Sequence, residues 1–177
     1  MIEVNPASLV AAALTVFISL IFARAAWHKM GEFTEFTGFV ADYRLLPEPL
    51  VIPVSYGIVA AEVVAVALQF IPAGRPFGLA IAVAMLLLYG YSMAVNIRRG
   101  RITIECGCGG AAQPLSWALV ARNGLLAAFG LLATALPMGS LGPADAVAAI
   151  VSGFALWVAY LLIEQILSNA SLARLTR

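Results

Sequence analysis

Two cysteines that are separated by a single residue are the side chains of this sequence best suited to chemistry. They lie in the run Glu105-Cys106-Gly107-Cys108-Gly109-Gly110, and the chain contains no other cysteine. A Cys-x-Cys pair can close a small disulfide, and the strain in such a bond makes it easier to reduce. The glycines give the backbone the freedom that this closure needs. We therefore predict that Cys106 and Cys108 cycle between dithiol and disulfide.

The residues around the pair favour redox chemistry over metal binding. Arg98, Arg99 and Arg101 precede the cysteines closely, and positive charge favours thiolate over thiol. Two thiolates supply only half of a tetrahedral metal site, and the single histidine, His28, is distant in sequence. We predict no metal site, although a soft metal held by these three residues is an open alternative. A second alternative is a non-catalytic membrane subunit whose cysteines are inert or bridge structurally. Whether the chain is an enzyme stays open; if it is, it would be a thiol–disulfide oxidoreductase.

The composition places this pair in a membrane protein. Of 177 residues, 63% are hydrophobic and 11% are charged, and the mean hydropathy is +0.99. A soluble domain is roughly half apolar and about one quarter charged. The net charge is only +1, and no basic stripe or phosphate-binding glycine motif is present. These features predict contact with membrane lipid and exclude nucleic acid as a partner.

Five apolar stretches predict an all-α helical bundle with four to five transmembrane helices, forming one domain over the whole chain. Each stretch has close to the ~20 residues that cross the bilayer, and only helices satisfy their own backbone there. The first lacks a basic leader and is expected to remain as a helix. The stretches run from about Ala7 to Trp27, Val51 to Ile71, Phe77 to Asn96, Leu115 to Leu136 and Asp145 to Leu167.

Several ionisable or polar residues fall within these stretches or at their ends. Glu62 lies near the middle of the second, where a charge costs at least ~2.5–3.5 kcal/mol, so it needs a partner. Arg24 and Arg122 are the predicted partners. Arg24, His28, Glu62, Arg122 and Asn123 are together predicted to line an intramembrane polar pocket, in which a quinone is a hypothetical cofactor. We expect Lys29, Arg44, Glu164 and Gln165 to lie at the interface. We expect Tyr89, Tyr91 and Asn96 to belong to the headgroup belt, and a pocket near the cysteine end that they line is the alternative.

The distribution of arginine and lysine predicts the orientation. Five spans place the termini on opposite sides, and the side that holds the cysteine loop carries most of the positive charge, whereas the other keeps only Arg75. The positive-inside rule therefore favours an outside N-terminus and an inside C-terminus, in the plasma membrane of a bacterium. The charges on the cysteine side are Arg24, Lys29, Arg44, Arg98, Arg99, Arg101, Arg122, Arg174 and Arg177.

Several motifs resemble the MauE family, a branch of the DoxX-like membrane proteins. They occur in order between about residues 10 and 135: Arg24-Ala25-Ala26-Trp27-His28-Lys29, Tyr43-Arg44-Leu45-Leu46-Pro47, Glu62, Asn96-Ile97-Arg98-Arg99-Gly100-Arg101, the cysteine run, Leu115-Ser116-Trp117 and Arg122-Asn123. The resemblance implies a polytopic, redox-associated membrane protein that works with a thioredoxin-like partner or within a larger membrane complex. It does not fix a pathway. Disulfide maturation takes place outside the cytoplasm, whereas the charge distribution places the cysteines inside.

Overall fold

The structure is a computed structural model that describes residues 5–104 and 113–175, with side chains described as far as residue 169. This part of the chain folds into six helices, and the all-α prediction is confirmed. They are α1 (Pro6–Gly31), α2 (Phe33–Asp42), α3 (Glu48–Gln69), α4 (Arg75–Arg98), α5 (Trp117–Ala135) and α6 (Pro143–Leu175).

Five of these helices, all except α2, are long and apolar enough to cross a membrane. They correspond to the five predicted stretches, and the chain is a multi-pass membrane protein. Local chemistry sets where they begin. The side chain of Asn5 accepts a hydrogen bond from the Ala7 N–H at the start of α1, and Ser116 caps Leu119 N–H in the same way. Because Ser116 is the cap, α5 begins two residues later than the predicted Leu115.

The segment between the first two spans contains a helix that the apolar pattern did not single out. This helix, α2, has ten residues and packs on α3 beside the end of α1. Phe36 is its buried residue, and the ring of Phe33 lies 4.3 Å from the ring of Tyr56 on α3. A short amphipathic helix of this kind is typical of a segment at the membrane interface.

Helix α1 is the central element, packing against α3, α5 and α6. Small residues let the backbones approach closely. A Cβ placed on Gly153 of α6 would lie 2.7 Å from the Ala13 carbonyl oxygen of α1. One placed on Gly78 of α4 would lie 2.6 Å from the Ala65 carbonyl oxygen of α3. Both glycines are therefore needed for the observed packing.

The helices alternate in direction, so α1, α4 and α6 end where α3 and α5 begin. We call this the α4–α5 end of the bundle, since the connection between those two helices lies there. At the opposite end, Arg75 donates hydrogen bonds to the Thr15 hydroxyl and to the Ala133 carbonyl oxygen. These bonds join α4 to α1 and α5. Arg75 is consequently a buried structural residue.

Candidate functional site

A buried ion pair connects α1 to α3 in the half of the bundle nearer the α4–α5 end. The Lys29 ammonium lies 2.7 Å from Glu62 Oε1, and the two side chains are 2% and 1% exposed. The Tyr89 hydroxyl of α4 donates to the same carboxylate oxygen at 2.6 Å. The ammonium also lies over the rings of Phe36 and Tyr89, 5.3 and 5.4 Å from their centroids. Side chains from α1, α2, α3 and α4 therefore surround one carboxylate. We call Lys29, Phe36, Glu62 and Tyr89 the Glu62 group.

The predicted partner of Glu62 was wrong, as was the interfacial position of Lys29. Neither Arg24 nor Arg122 pairs with Glu62, because Lys29 occupies that position. A signal for this was present in the sequence. Ile18 and Phe22 are buried residues of α1, and Lys29 continues their face at helical spacing, eleven and seven residues further on.

A second ionic group lies on α6. The Glu164 carboxylate accepts hydrogen bonds from Arg24 at 3.4 Å, from Arg122 and from the Tyr160 hydroxyl at 2.7 Å. Its backbone carbonyl accepts another from the Gln113 side chain at 3.2 Å. Glu164 is 6% exposed, so its side chain is buried inside the bundle, and its interfacial position stays a prediction. We call these residues the Glu164 group.

The two groups contain three of the five residues that were predicted to line an intramembrane pocket. Arg24 and Arg122 belong to the Glu164 group, and Glu62 forms the other group. Asn123 is buried and donates to the Leu119 carbonyl oxygen at 2.9 Å, with Met93 Sδ 3.9 Å away. His28 instead lies on the exposed side of α1, where its Nε2 is 3.4 Å from Glu32. The structure therefore does not bring His28 into the interior.

A cavity of about 30 Å³ separates the two ionic groups. Its polar wall comes from both of them, and apolar side chains of α1, α4 and α5 complete it. The lining residues are Ile21, Phe22, Ala25, Lys29, Glu62, Leu86, Tyr89, Arg122, Asn123, Leu126 and Tyr160.

A larger cavity, of about 380 Å³, lies between α2, α3 and α4. Its wall is mainly aliphatic and aromatic, and Tyr89 lines both this cavity and the smaller one. Burial raises the pKa of another lining residue, Tyr43, to about 12, so its phenol is neutral at physiological pH. The lining residues are Phe36, Phe39, Val40, Tyr43, Leu45, Leu46, Val54, Ile58, Leu88, Tyr89, Tyr91, Ser92 and Met93.

The connection between α4 and α5 enters and leaves the bundle beside the larger cavity. The Leu115 N–H donates to the Ile102 carbonyl oxygen at 3.1 Å, which ties the two ends of the connection together. Ile104 on one end and Leu115 on the other pack in one apolar cluster with Met93. Tyr43 and Tyr89 pack against the same cluster. We call residues 101–104 and 113–116 the stem of this connection.

The three arginines before the cysteines have different surroundings. Arg101 donates to the backbone carbonyl oxygens of Asp42 and Tyr43, at 2.8 and 3.3 Å, and to Asn96 Oδ1 at 3.2 Å. It therefore fastens the end of α2 to the end of α4. Arg98 and Arg99 are exposed, and the Arg98 guanidinium lies 6.0 Å from the Trp117 ring centroid.

Cys106 and Cys108 lie outside the described residues, so their pairing, and the support of their thiolates by the three arginines, stay predictions. Between residues 5 and 104 and from residue 113 onward, no group of three or more His, Cys, Asp or Glu side chains is placed to hold a metal ion.

Comparison with known proteins agrees with the motifs. The family model described as "Methylamine utilisation protein MauE" matches residues 7–136. The MauE protein of Paracoccus denitrificans is 41% identical over 134 residues, which cover 71% of this chain and 69% of the relative. That of Paracoccus versutus is 39% identical over 152 residues, with coverage of 84% and 82%. No solved structure matches the chain significantly. The resemblance seen in the motifs is confirmed, and this five-span chain belongs to the MauE family.

Proposed function

We propose that the protein passes electrons from a thioredoxin-like dithiol, through Cys106 and Cys108, to a lipid-soluble quinone in the larger cavity. The observation that carries this proposal is the position of the stem. Ile104 and Leu115 pack with Tyr43, Tyr89 and Met93, which line that cavity. Cys106 follows Ile104 by two residues, and two residues of chain extend at most about 7 Å.

The cavity has the properties that a quinone head group requires. Its volume of about 380 Å³ is within the usual range for small-molecule sites, and such sites combine apolar walls with few polar groups. The aromatic rings of Phe36 and Phe39 offer flat apolar surfaces to a quinone ring. The Tyr89 hydroxyl donates to Glu62, so its proton is already engaged. The wall also carries the hydroxyl groups of Tyr43, Tyr91 and Ser92, and these are the groups that would donate to a quinone carbonyl oxygen.

The proposed cofactor position differs from the one that the sequence suggested. The predicted pocket was formed by Arg24, His28, Glu62, Arg122 and Asn123. The cavity that Glu62, Arg122 and Asn123 help to line holds only about 30 Å³, which is too small for an aromatic ring. We therefore place the quinone on the α2 side of Tyr89.

The proposed reaction has two balanced steps. In the first, the thiolate of the partner attacks the Cys106–Cys108 disulfide, and exchange leaves the partner as a disulfide and the loop as a dithiol. In the second, the loop dithiol loses two electrons and two protons and closes its S–S bond. The quinone takes up both electrons and both protons and becomes the hydroquinone. Arg98 and Arg99 would favour the thiolate form in each step.

Thiol exchange with the partner can be tested using purified thioredoxin that lacks its resolving cysteine. The remaining cysteine of each single variant, Cys106→Ser or Cys108→Ser, is first joined to 5-thio-2-nitrobenzoate in a mixed disulfide. We expect the thioredoxin thiolate to displace this leaving group from at least one variant, and the protein adduct to persist because the second loop thiol is missing. Non-reducing electrophoresis detects the adduct. The double Ser variant, as the control, should form none. Failure of both single variants to form the adduct, after oxidative activation of the remaining cysteine, would contradict the proposal.

We also propose that the cysteine loop faces the cytoplasm of a bacterial cell. The burial of Lys29, Arg75 and Arg122 in polar contacts removes them from the topogenic count. The bias nevertheless persists, since Arg75 is the only cation in the opposite connections. Disulfides in that compartment are transient and catalytic, which suits a cycling pair better than a permanent bridge.

Orientation is measured by labelling intact cells with a membrane-impermeant maleimide. We expect Cys106 and Cys108 to react only after the cells are opened. A cysteine introduced at Gly139, in the connection at the opposite end of the bundle, should be labelled in intact cells. The reverse pattern would place the cysteine loop outside.

A further inference from the structure

Glu62 lines the small cavity between the two ionic groups, and one of its carboxylate oxygens has no hydrogen-bond partner among the described side chains. Glu62 Oε1 accepts from both Lys29 and Tyr89. Glu62 Oε2 is fully buried and receives no hydrogen bond within the described ranges. A buried acceptor that is left unsatisfied destabilises the fold, and a charged acceptor does so more strongly. Glu62 Oε2 therefore needs a hydrogen-bond donor.

The dimensions and the lining of the cavity decide what this donor is. About 30 Å³ is enough for one water molecule, whose requirement is roughly 10–15 Å³ together with two to four polar partners. An anion such as chloride would fit by size, but it has no proton to donate to a carboxylate. Arg122, Asn123 and Tyr160 line the other side of the cavity and provide the remaining polar groups.

We propose that one ordered water molecule occupies this cavity, donates a hydrogen bond to Glu62 Oε2 and relays protons between the two ionic groups. The water would join Tyr89 and Glu62 on one side to Tyr160 and Glu164 on the other. Both hydroxyls already donate to their carboxylates, at 2.6 and 2.7 Å. The result is a continuous buried path from α4 to α6.

The relay rests on the proposed function, in which this path would carry the protons that are released when the loop dithiol is oxidised. The side-chain amide of Gln113, in the stem, donates to the Glu164 backbone carbonyl oxygen, so the stem lies beside the Glu164 end of the path. Tyr89 lines the larger cavity at the other end of the path. Protons released by the two thiols must reach the two quinone oxygens. The water would accept a proton on one side and donate one on the other, so it is neither consumed nor formed.

The water site is tested without any redox chemistry, in the Cys106→Ser/Cys108→Ser protein in deuterated lipid. Solid-state NMR should show magnetisation transfer from water protons to the Glu62 carboxyl carbon. Ala25 lines the cavity, and Ala25→Val fills it, so the transfer should fall to background. Ala23→Val on the exposed side of the same helix should leave it unchanged. If the double Ser protein that retains Ala25 shows no magnetisation transfer from water to the Glu62 carboxyl carbon, the water site is overturned. This outcome does not depend on whether Ala25→Val assembles.

The relay is tested separately in the protein with both cysteines. We expect Ala25→Val to slow oxidation of the loop dithiol by a short-chain ubiquinone about a hundredfold, the scale of a lost proton-transfer group. Ala23→Val should retain the original rate. An unchanged rate in Ala25→Val, together with loss of the NMR signal, overturns the relay while leaving the proposed function intact. If the dithiol is not oxidised in any protein, the proposed function itself fails, and the relay with it.

Discussion

Replacing Lys29 by methionine is expected to lower the free energy of unfolding by about 3–5 kcal/mol, the usual cost of breaking a buried ion pair. The Glu62 carboxylate is 1% exposed and would lose the ammonium that lies 2.7 Å from one of its oxygens. Methionine nearly matches lysine in length, so little of the loss would come from packing. Reversible unfolding in mixed micelles measures the effect.

Two further variants show whether the charge is responsible. In Lys29→Met/Glu62→Met no charge is left unpaired, and stability should return to within about 1–2 kcal/mol of the original protein. Glu32→Gln breaks the exposed pair with His28 near the same end of α1 and should change stability by less than about 0.5 kcal/mol. A Lys29→Met protein as stable as the Glu32→Gln control would contradict the ion pair.

The second large effect is expected at Glu164, where two arginines share one carboxylate and differ in exposure. The side chain of Arg24 is 40% exposed, whereas that of Arg122 is 15% exposed. Removal of Glu164 by Glu164→Met leaves the Arg122 guanidinium buried without its carboxylate. We expect this substitution to lower the free energy of unfolding by about 3–5 kcal/mol, again measured by reversible unfolding in micelles.

The two arginines provide the matched comparison for this prediction. Arg24→Met should cost at most about 1 kcal/mol, since an exposed ion pair contributes little. Arg122→Met should lower the free energy of unfolding several times more. The Glu164 carboxylate would then keep only Arg24, whose guanidinium lies 3.4 Å away. Adding Arg122→Met to Glu164→Met should recover most of the lost stability. Equal effects of the two arginine substitutions would contradict the described asymmetry.

The spans could be predicted from the sequence because lipid imposes a length and a hydropathy on each crossing helix. The ionic partners could not be predicted as readily. Arg24 and Glu62 each looked like an isolated charge in an apolar stretch, and pairing them ignored which face of α1 is buried. Lys29 lies on that face, following Ile18 and Phe22, whereas Arg24 points toward α6.

Glu164 was missed for a different reason. It lies in the last two turns of the predicted fifth span, where a carboxylate normally reaches the headgroups. Helix α6 continues for eleven residues beyond it, so this position is not a helix end. Tyr160 lies one turn before it on the same face and marks that face as polar. The larger cavity could not be predicted from the sequence either, since it depends on how α2 folds back against α3 and leaves a space between α2 and α4.

Both ionic groups and both cavities lie in the same half of the bundle, toward the stem. The opposite half is held by different contacts, such as the hydrogen bond from Ser19 to Gln69 and those from Arg75. The buried ion pairs of the described residues therefore lie in the stem half. Their proximity to the cysteine-bearing connection is what links the fold to the proposed electron transfer.

Anaerobic thiol titration in nanodiscs tests the central claim most directly. When the reduced protein is mixed with a short-chain ubiquinone, the account predicts that two thiols disappear for each hydroquinone formed. Val54→Trp, which fills the larger cavity, should block the reaction, whereas Val63→Trp on the exposed side of the same helix should not. Cysteines that remain reduced in the presence of the quinone, or a Val54→Trp protein that reacts at the original rate, would contradict the account.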